Sequence, residues 1–207
     1  MPRRPGLDRG VLVGEAAALA DERGLGFVTF ANLAERLNVR APSLYNHIAS
    51  AEHLQHQLTL FALRALRDDI GRAAIGKNGA DGVLAIAHAY RTFAREHPGM
   101  YDATLRAPRP DDTALQQIAT DVLSIVRAIL VPFGLSEDMT IHAIRGFRAI
   151  VHGFVSLESS NGFGLPQRSD ESFQFIMHSY IAGLEANERS HWDRTCESTA
   201  PLAASSG

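Results

Sequence analysis

Residues 29–48 read TFANLAERLNVRAPSLYNHI, and this stretch decides the fold because it predicts two short helices joined by a tight turn. Thr29 is a residue type favoured at a helix N-cap, and Pro42 is favoured in the first turn of a helix. Asn38 tolerates the positive φ that a tight turn after a helix often requires. Apolar residues at helical spacing would form the seam between the two helices: Leu33, Ala34, Leu37, Val39 and Leu44. The pattern predicts a helix-turn-helix.

The second of these helices carries side chains that suit double-stranded DNA. Asn46 could read adenine through two hydrogen bonds, whereas Ser43 and Tyr45 more often hold phosphates. Thr29, at a helix N-terminus, and Arg40, in the turn, would reach the phosphate backbone. The predicted DNA-binding residues are Thr29, Arg40, Ser43, Tyr45, Asn46 and His47.

Residues 7–60 resemble the DNA-binding domain of the tetracycline-repressor (TetR) family of transcriptional regulators. That family shows a Leu-Ala-x-x-Leu-x-Val segment followed by x-Leu-Tyr-x-His-Phe, and this chain supplies LAERLNV at residues 33–39 and LYNHI at residues 44–48. Ile48 replaces the usual aromatic residue, and Ala51 stands where many members carry a phosphate-binding lysine. The resemblance implies a dimeric, ligand-responsive repressor that binds an operator.

The charge of the chain predicts a modest grip on DNA. The formal net charge of the 207 residues is −3, and residues 1–60 carry six Lys and Arg against six Asp and Glu. A DNA-binding protein of this kind must concentrate its positive charge locally, and Arg3, Arg4 and Arg9 could add to it from the N-terminal arm. We therefore expect few phosphate contacts and a correspondingly shallow salt dependence.

Helical periodicity dominates the whole chain and predicts an all-α protein. The expected architecture is a three-helix DNA-binding domain followed by a larger helical domain, with boundaries at residues 1–50, 51–192 and a disordered tail at 193–207. Nine helices are predicted, near residues 7–23, 29–37, 42–48, 51–74, 80–96, 100–105, 111–131, 136–159 and 170–189.

The C-terminal part resembles the branch of the family that is named for a Trp-His-Gly motif. The resemblance rests on HPGMY at residues 97–101 and RAIVHGF at residues 148–154, where Val151 replaces the tryptophan. Mostly apolar candidates among the fourth to eighth helices favour a small hydrophobic or amphipathic effector. The predicted ligand-binding residues are Phe61, Tyr90, Phe93, Met100, Tyr101, Leu105, Val122, Ile125, Arg148 and His152.

A homodimer is expected because a helix-turn-helix protein usually reads two half-sites. The eighth and ninth helices carry too many apolar residues for one buried stripe, which indicates burial against both core and partner. The resemblance implies a four-helix bundle of these two helices from each subunit. The predicted interface residues are Phe147, Ile150, Phe154, Phe173, Met177, Tyr180 and Leu184.

Two other functions are kept open, a metal-sensing regulator and a helical protein that does not bind DNA. His53 and His56 are three residues apart on one helix face, with His47 close in sequence, but no Cys or carboxylate cluster completes a metal site. No nucleophile elbow or phosphate-binding loop is present, so neither an enzyme nor a cofactor is expected. The lone Cys196 excludes an internal disulfide and, without a signal peptide or a run of about 18 apolar residues, predicts a cytoplasmic protein without membrane contact.

Overall fold

The computed structural model describes residues 7–105, 109 and 111–187, and all regular structure in that part of the chain is helical. The all-α prediction and its nine α-helices are therefore confirmed for the described residues. The predicted tail, Cys196, Arg3 and Arg4 lie outside them. The helices are α1 (Arg9–Arg23), α2 (Phe30–Leu37), α3 (Ala41–Leu44), α4 (Ala51–Ala74), α5 (Gly79–Glu96), α6 (Pro98–Ala103), α7 (Thr113–Leu130), α8 (Glu137–Ser159) and α9 (Ser169–Asn187).

Several helices begin at a side chain that caps them. The Thr29 hydroxyl accepts the Asn32 amide at 3.2 Å, the Ser50 hydroxyl accepts the His53 amide at 3.0 Å, and the Ser136 hydroxyl accepts the Met139 amide at 3.3 Å. Each hydrogen bond satisfies one of the four amides that a helix N-terminus leaves without a helical partner. The N-cap predicted at Thr29 is confirmed, and Ser50 and Ser136 cap α4 and α8 in the same way.

Helix α3 is shorter than the predicted span of residues 42–48. It ends at Leu44, and residues 45–47 form a turn in which the amides of His47 and Ile48 both donate to the Leu44 carbonyl at 3.0 Å. Sharing of one carbonyl by two amides tightens the last turn of a helix. Tyr45 keeps right-handed helical angles, with φ −63° and ψ −18°, so the side chain still leaves the backbone in a helical direction.

The chain forms two compact units. The first comprises residues 1–76 and 85–125 and the second residues 77–84 and 126–207, each as far as the residues are described. Helices α5 and α7 contribute to both units. These units do not follow the predicted boundary at residue 50, which divides the chain by function and stays a prediction.

In the first unit, helices α1, α4 and α6 pack on one another, and α2 and α3 pack at the end of this group. Leu12 of α1, Leu54 and Leu58 of α4 and Leu44 of α3 are almost completely buried. Ile48 is also fully buried, so the aliphatic side chain that replaces the family's aromatic residue fills a core position. The core therefore fixes the helix-turn-helix against α1 and α4.

In the second unit, α8 and α9 pack against each other along their apolar sides. Phe154 and Phe173 meet edge to face with their ring centroids 5.0 Å apart, and Phe147 lies 6.3 Å from Tyr180. Buried residues on the two helices are Ala143, Phe147, Val151, Phe154, Val155, Phe173, Met177, Ile181 and Leu184.

Ionisation of Tyr180 should lower the stability of this unit at alkaline pH. Its hydroxyl donates to the Ala143 carbonyl at 2.6 Å, and burial raises the pKa of Tyr180 to about 12. The unfolded chain releases this proton near pH 10, so the contribution of neutral Tyr180 is complete below pH 10 and is lost as the pH rises toward 12. In urea unfolding at pH 8, we expect Tyr180→Phe to be about 1 kcal/mol less stable than the wild type. That difference should shrink at pH 11.5, and an equal difference at both pH values would contradict this account.

One segment of the described residues, Thr113–Phe133, is long and apolar enough to cross a membrane by length and composition alone. Asp121 and Arg127 interrupt it, so counting consecutive apolar residues overlooks it. Core helices of soluble proteins pass the same test of length and composition. The buried residues of the segment include Ile118, Val126 and Ile129, and 28% of its most apolar 18-residue window is buried.

Candidate nucleic-acid interface

The turn between α2 and α3 is built by backbone hydrogen bonds. Asn38 lies in the left-handed region with φ 53° and ψ 49°, and its amide donates to the carbonyls of Ala34 and Glu35. The Val39 amide donates to the Ala34 carbonyl at 2.9 Å, which completes a Schellman motif. The positive φ predicted at Asn38 is confirmed. Leu33, Ala34 and Leu44 of the predicted seam are buried, so the two helices are held in one fixed arrangement.

Tyr45 and Asn46 are exposed on the turn that follows α3. The ring of Tyr45 stacks on that of Phe30 in α2, with centroids 4.5 Å apart and planes 8° from parallel, although 57% of Tyr45 remains exposed. Stacking orders the Tyr45 ring before any ligand arrives, so its hydroxyl can meet a phosphate with little further loss of side-chain entropy. Asn46 follows directly, and His47 is half-buried.

The hydroxyls of Thr29 and Ser43 differ in what they can offer to DNA. Thr29 is exposed and its oxygen accepts the Asn32 amide, so its proton is available for a phosphate oxygen. Ser43 donates its proton to the Arg40 carbonyl at 2.7 Å. Ser43 would therefore have to rotate before it could donate to a phosphate, and its predicted role requires that rotation.

Arg36 is an ion-pair centre that sequence reasoning missed. It donates to Glu15 at 2.7 Å and, through both terminal nitrogens, to Glu22 at 2.7 and 2.8 Å. These hydrogen bonds raise the pKa of Arg36, and the hydrogen bond from Arg36 lowers the pKa of Glu22. The partners lie 21 and 14 residues away in sequence, so no local pattern reveals them. These ion pairs join α2 to α1. Because the guanidinium of Arg36 is held by two carboxylates, we do not expect it to bind a phosphate.

Arg9, Arg23 and Arg40 are the cations that this arrangement leaves for DNA in the described part of residues 7–50. All three are exposed, and within that part none takes part in an ion pair. Arg23 lies 4.4 Å above the ring of Phe27, a contact that does not neutralise its charge. The few available cations agree with the sequence prediction of few phosphate contacts.

The predicted effector-binding residues are distributed over both compact units. In the first unit Tyr90, Phe93, Met100 and Tyr101 are buried, and the rings of Tyr90 and Tyr101 meet edge to face at 5.7 Å. The remaining candidates of that unit are exposed (Phe61, Leu105) or half-buried (Val122, Ile125), and in the second unit Arg148 is exposed and His152 half-buried. The structure brings Tyr90 and Tyr101 together, and the complete pocket stays a prediction.

A cavity of about 400 Å³ lies beside the start of α4 and contains none of those ten residues. Its lining includes His53 and His56, the pair considered for a metal site. His56 Nε2 lies 2.8 Å from a carboxylate oxygen of Asp112, and His53 Nδ1 accepts the Ala49 amide at 3.3 Å. Among the described residues, no group of three or more His, Cys, Asp and Glu could hold a metal ion. Nothing in this part of the chain supports the metal-sensing alternative.

The predicted dimer residues are mostly buried inside the single chain. Phe147, Phe154, Phe173, Met177 and Leu184 are all at most 7% exposed, and Ile150 and Tyr180 are half-buried. Sequence reasoning missed an exposed apolar set beside them, which comprises Leu157, Phe163, Leu165 and Phe175. A groove of about 640 Å³ is lined by the apolar side chains of Ile150, Phe154, Leu157, Phe163, Phe175 and Ile176, together with Gln167, Glu171 and Ser172. We call this groove with Leu165 the α8–α9 apolar face.

Comparison with known proteins identifies this arrangement. Residues 83–180 match the sequence model described as tetracyclin repressor-like, C-terminal domain. An uncharacterised HTH-type transcriptional regulator of Bacillus subtilis is 33% identical over 190 residues, which cover 91% of this chain and 98% of the relative. An uncharacterised HTH-type transcriptional regulator of Mycobacterium tuberculosis is 34% identical over 180 residues, which cover 86% of this chain and 82% of the relative.

Solved structures agree with the sequence relatives. A TetR variant from Acinetobacter baumannii AYE in complex with minocycline superposes with a TM-score of 0.67 at 25% identity, covering 89% of this chain and 99% of the other. A protein of unknown function from Rhodococcus sp. RHA1 has the same fold, with a TM-score of 0.74 at 18% identity over 89% and 99% of the two chains. The narrower resemblance to the Trp-His-Gly branch stays a prediction. The chain belongs to the TetR family of DNA-binding, helix-turn-helix transcriptional regulators.

Proposed function

We propose that the protein is a homodimeric repressor that holds operator DNA through α2 and α3 and releases it when a small hydrophobic or amphipathic effector binds. The observation that carries the DNA-binding role is the exposed pair of Tyr45 and Asn46, which directly follows α3 and its buried Leu44. Family membership supports the same function. The family resemblance favours repression over activation. Binding to DNA favours a cytoplasmic location.

The homodimer rests on the α8–α9 apolar face. Phe175 and Leu165 are 75% and 77% exposed, and the groove between α8 and α9 beside them is lined mainly by apolar side chains. A contiguous exposed apolar patch on a globular protein marks an interaction site. A second copy of this chain is the expected occupant, because an operator with two half-sites needs two helix-turn-helix units. We call the unit formed by α2, α3 and the turn through residue 48 the reading head. The buried residues of the predicted set support this face from beneath.

The effector class rests on the apolar character of the candidate pocket residues. Tyr90, Phe93, Met100 and Tyr101 are aromatic or thioether side chains buried in the single chain, so a site that opens among them would suit an apolar or amphipathic molecule. The TetR variant from Acinetobacter baumannii was solved with minocycline, and this supports a small-molecule effector for the present chain. Binding would shift the population between two states that differ in DNA affinity.

Selection of DNA from a random library by the purified protein tests the proposed function. We expect an inverted repeat whose half-sites are about one helical turn apart. Fluorescence anisotropy with the selected duplex should give a dissociation constant of about 10⁻⁸ M at about 0.15 M salt, which is the weaker end of specific binding. Recovery of no preferred sequence over several rounds would overturn the DNA-binding proposal. An effector screen on the same complex then tests release.

Two substitutions separate base reading from phosphate binding. Asn46→Ala should cost about 1–3 kcal/mol on the selected operator and relax the preference at one base pair of each half-site. Arg40→Ala should weaken binding to all duplexes alike and reduce the slope of log affinity against log salt by about one per head. Anisotropy titrations on the operator and on single-base variants measure both effects. Equal losses on every duplex for Asn46→Ala would remove it from base readout.

A further inference from the structure

Helix α6 is capped by a side chain from another helix. It begins at Pro98 without a side-chain cap of its own. Instead, the carboxylate of Asp21 in α1 accepts the Met100 amide at 2.8 Å through Oδ1. The other oxygen, Oδ2, lies 2.9 Å from His97 Nδ1. A carboxylate at this place satisfies a free amide and lies at the positive end of the helix dipole.

Helices α1 and α6 also touch directly, with no space for a side chain at Gly99. A Cβ on Gly99 would lie 2.1 Å from the backbone carbon and oxygen of Ala20 and 2.7 Å from the Ala20 Cβ. Ala20 is fully buried, so it has no room to give way. The first turn of α6 therefore rests directly on the backbone of the last turn of α1, at the residue before Asp21. Only glycine permits this approach.

Surface ion pairs connect α1 to the DNA-binding helices. Glu15 and Glu22 of α1 both bind Arg36 of α2, and α2 carries Phe30, on which Tyr45 stacks. Helix α6 lies within the residues that match the C-terminal domain of the family. Asp21 is thus the point at which a helix of the C-terminal domain is hydrogen-bonded to the helix that carries the reading head.

We propose that Asp21 is a positioning residue, which sets the orientation of the helix-turn-helix by capping α6, while Gly99 allows the close contact that keeps this cap rigid. The inference rests on the proposed function, because orientation matters only if two heads of a dimer must match two half-sites. A movement of α6 cannot be absorbed at this contact, since it must either carry α1 along or break the cap.

The test compares binding to a duplex with two half-sites, which engages both reading heads of the dimer, and binding to a duplex with one half-site. Asp21→Ala removes the cap, and Gly99→Ala forces the helices apart. Gly14→Ala is the matched control, because it lies on α1 and has no atom within 4 Å of an added Cβ. On the selected duplex with two half-sites, Asp21→Ala and Gly99→Ala should lose about five- to tenfold in affinity. On a duplex with one half-site, the loss should stay below about twofold, because one head can reorient freely.

Asp21→Asn is the conservative variant that should restore binding. Its amide oxygen can still accept the Met100 amide, and Asn is as good an N-cap as Asp. Hydrogen exchange at the Met100 amide should be faster than wild type in Asp21→Ala and unchanged in Asp21→Asn. If Asp21→Ala or Gly99→Ala fails to fold, His97→Ala removes one of the two hydrogen bonds and should show a smaller loss of the same kind.

The outcomes separate the two proposals. Failure of the wild type to select any DNA overturns the proposed function. Wild-type binding with an equal loss on one-site and two-site duplexes means that Asp21 has a merely structural role and overturns the inference. Unchanged two-site affinity in Asp21→Ala, or in His97→Ala where the former is unfolded, also overturns it. A loss confined to the two-site duplex, with recovery in Asp21→Asn, supports it.

Discussion

Phe175→Glu is expected to convert the dimer into a monomer and to reduce operator affinity at least about 100-fold. Phe175 is 75% exposed in the single chain and lines the groove of the α8–α9 apolar face. A glutamate there would be buried without a partner in the dimer, which costs about 3–5 kcal/mol, or more than two factors of ten in the dissociation constant. The expected affinity falls because one head alone must then hold the operator.

Analytical ultracentrifugation and anisotropy on the two-site duplex measure this result. Gln174→Glu is the matched control, because it adds the same charge to the neighbouring exposed position of α9, outside the groove. Thermal unfolding should show both variants folded, since both positions are exposed in the single chain. A Phe175→Glu protein that stays dimeric at micromolar concentration would place the dimer interface elsewhere.

Leu44→Ala is expected to unfold the reading head. Leu44 is fully buried where α3 packs, and its carbonyl accepts the amides of His47 and Ile48. Removal of a buried leucine side chain costs about 2–5 kcal/mol through lost apolar contact and the cavity left behind. A helix of four residues has little stability of its own to offset this loss. Operator binding should therefore disappear at temperatures where the rest of the protein is still helical.

Circular dichroism with operator anisotropy over the same temperature range checks this expectation. Leu165→Ala is the control, because it makes the same substitution at a residue that is 77% exposed, where an effect within about 0.5 kcal/mol is expected. Equal operator affinity of Leu44→Ala and wild type at 37 °C would show that packing of α3 does not limit DNA binding.

The local features of this fold could be predicted because their causes are local in sequence. The caps at Thr29 and Ser50 and the left-handed Asn38 each depend on a few neighbouring residues. The contact of Asp21 with the Met100 amide joins residues 79 positions apart, and it exists only because α6 packs on α1. No spacing rule indicates such a contact before the tertiary packing is known.

The proposed dimer face shows a second limit of periodicity. Phe173 and Phe175 are two residues apart on one helix and therefore point to different sides. Phe173 is fully buried and Phe175 is 75% exposed, so one belongs to the core and the other to the surface. Both helices have two apolar sides, and the pattern cannot say which side faces a partner. The predicted set consequently contains residues of the internal side.

The stack of Tyr45 on Phe30 bears on how a duplicate of this protein could acquire a new target sequence. In the proposed interface, the stack fixes the phosphate-anchoring side chain independently of the base that Asn46 reads, because Phe30 belongs to α2. Asn46 is exposed and can change without disturbing that anchor. Anchoring and discrimination are thus assigned to adjacent but separate side chains. A gene duplicate could move to a different operator through single substitutions at position 46 while it keeps its general hold on DNA.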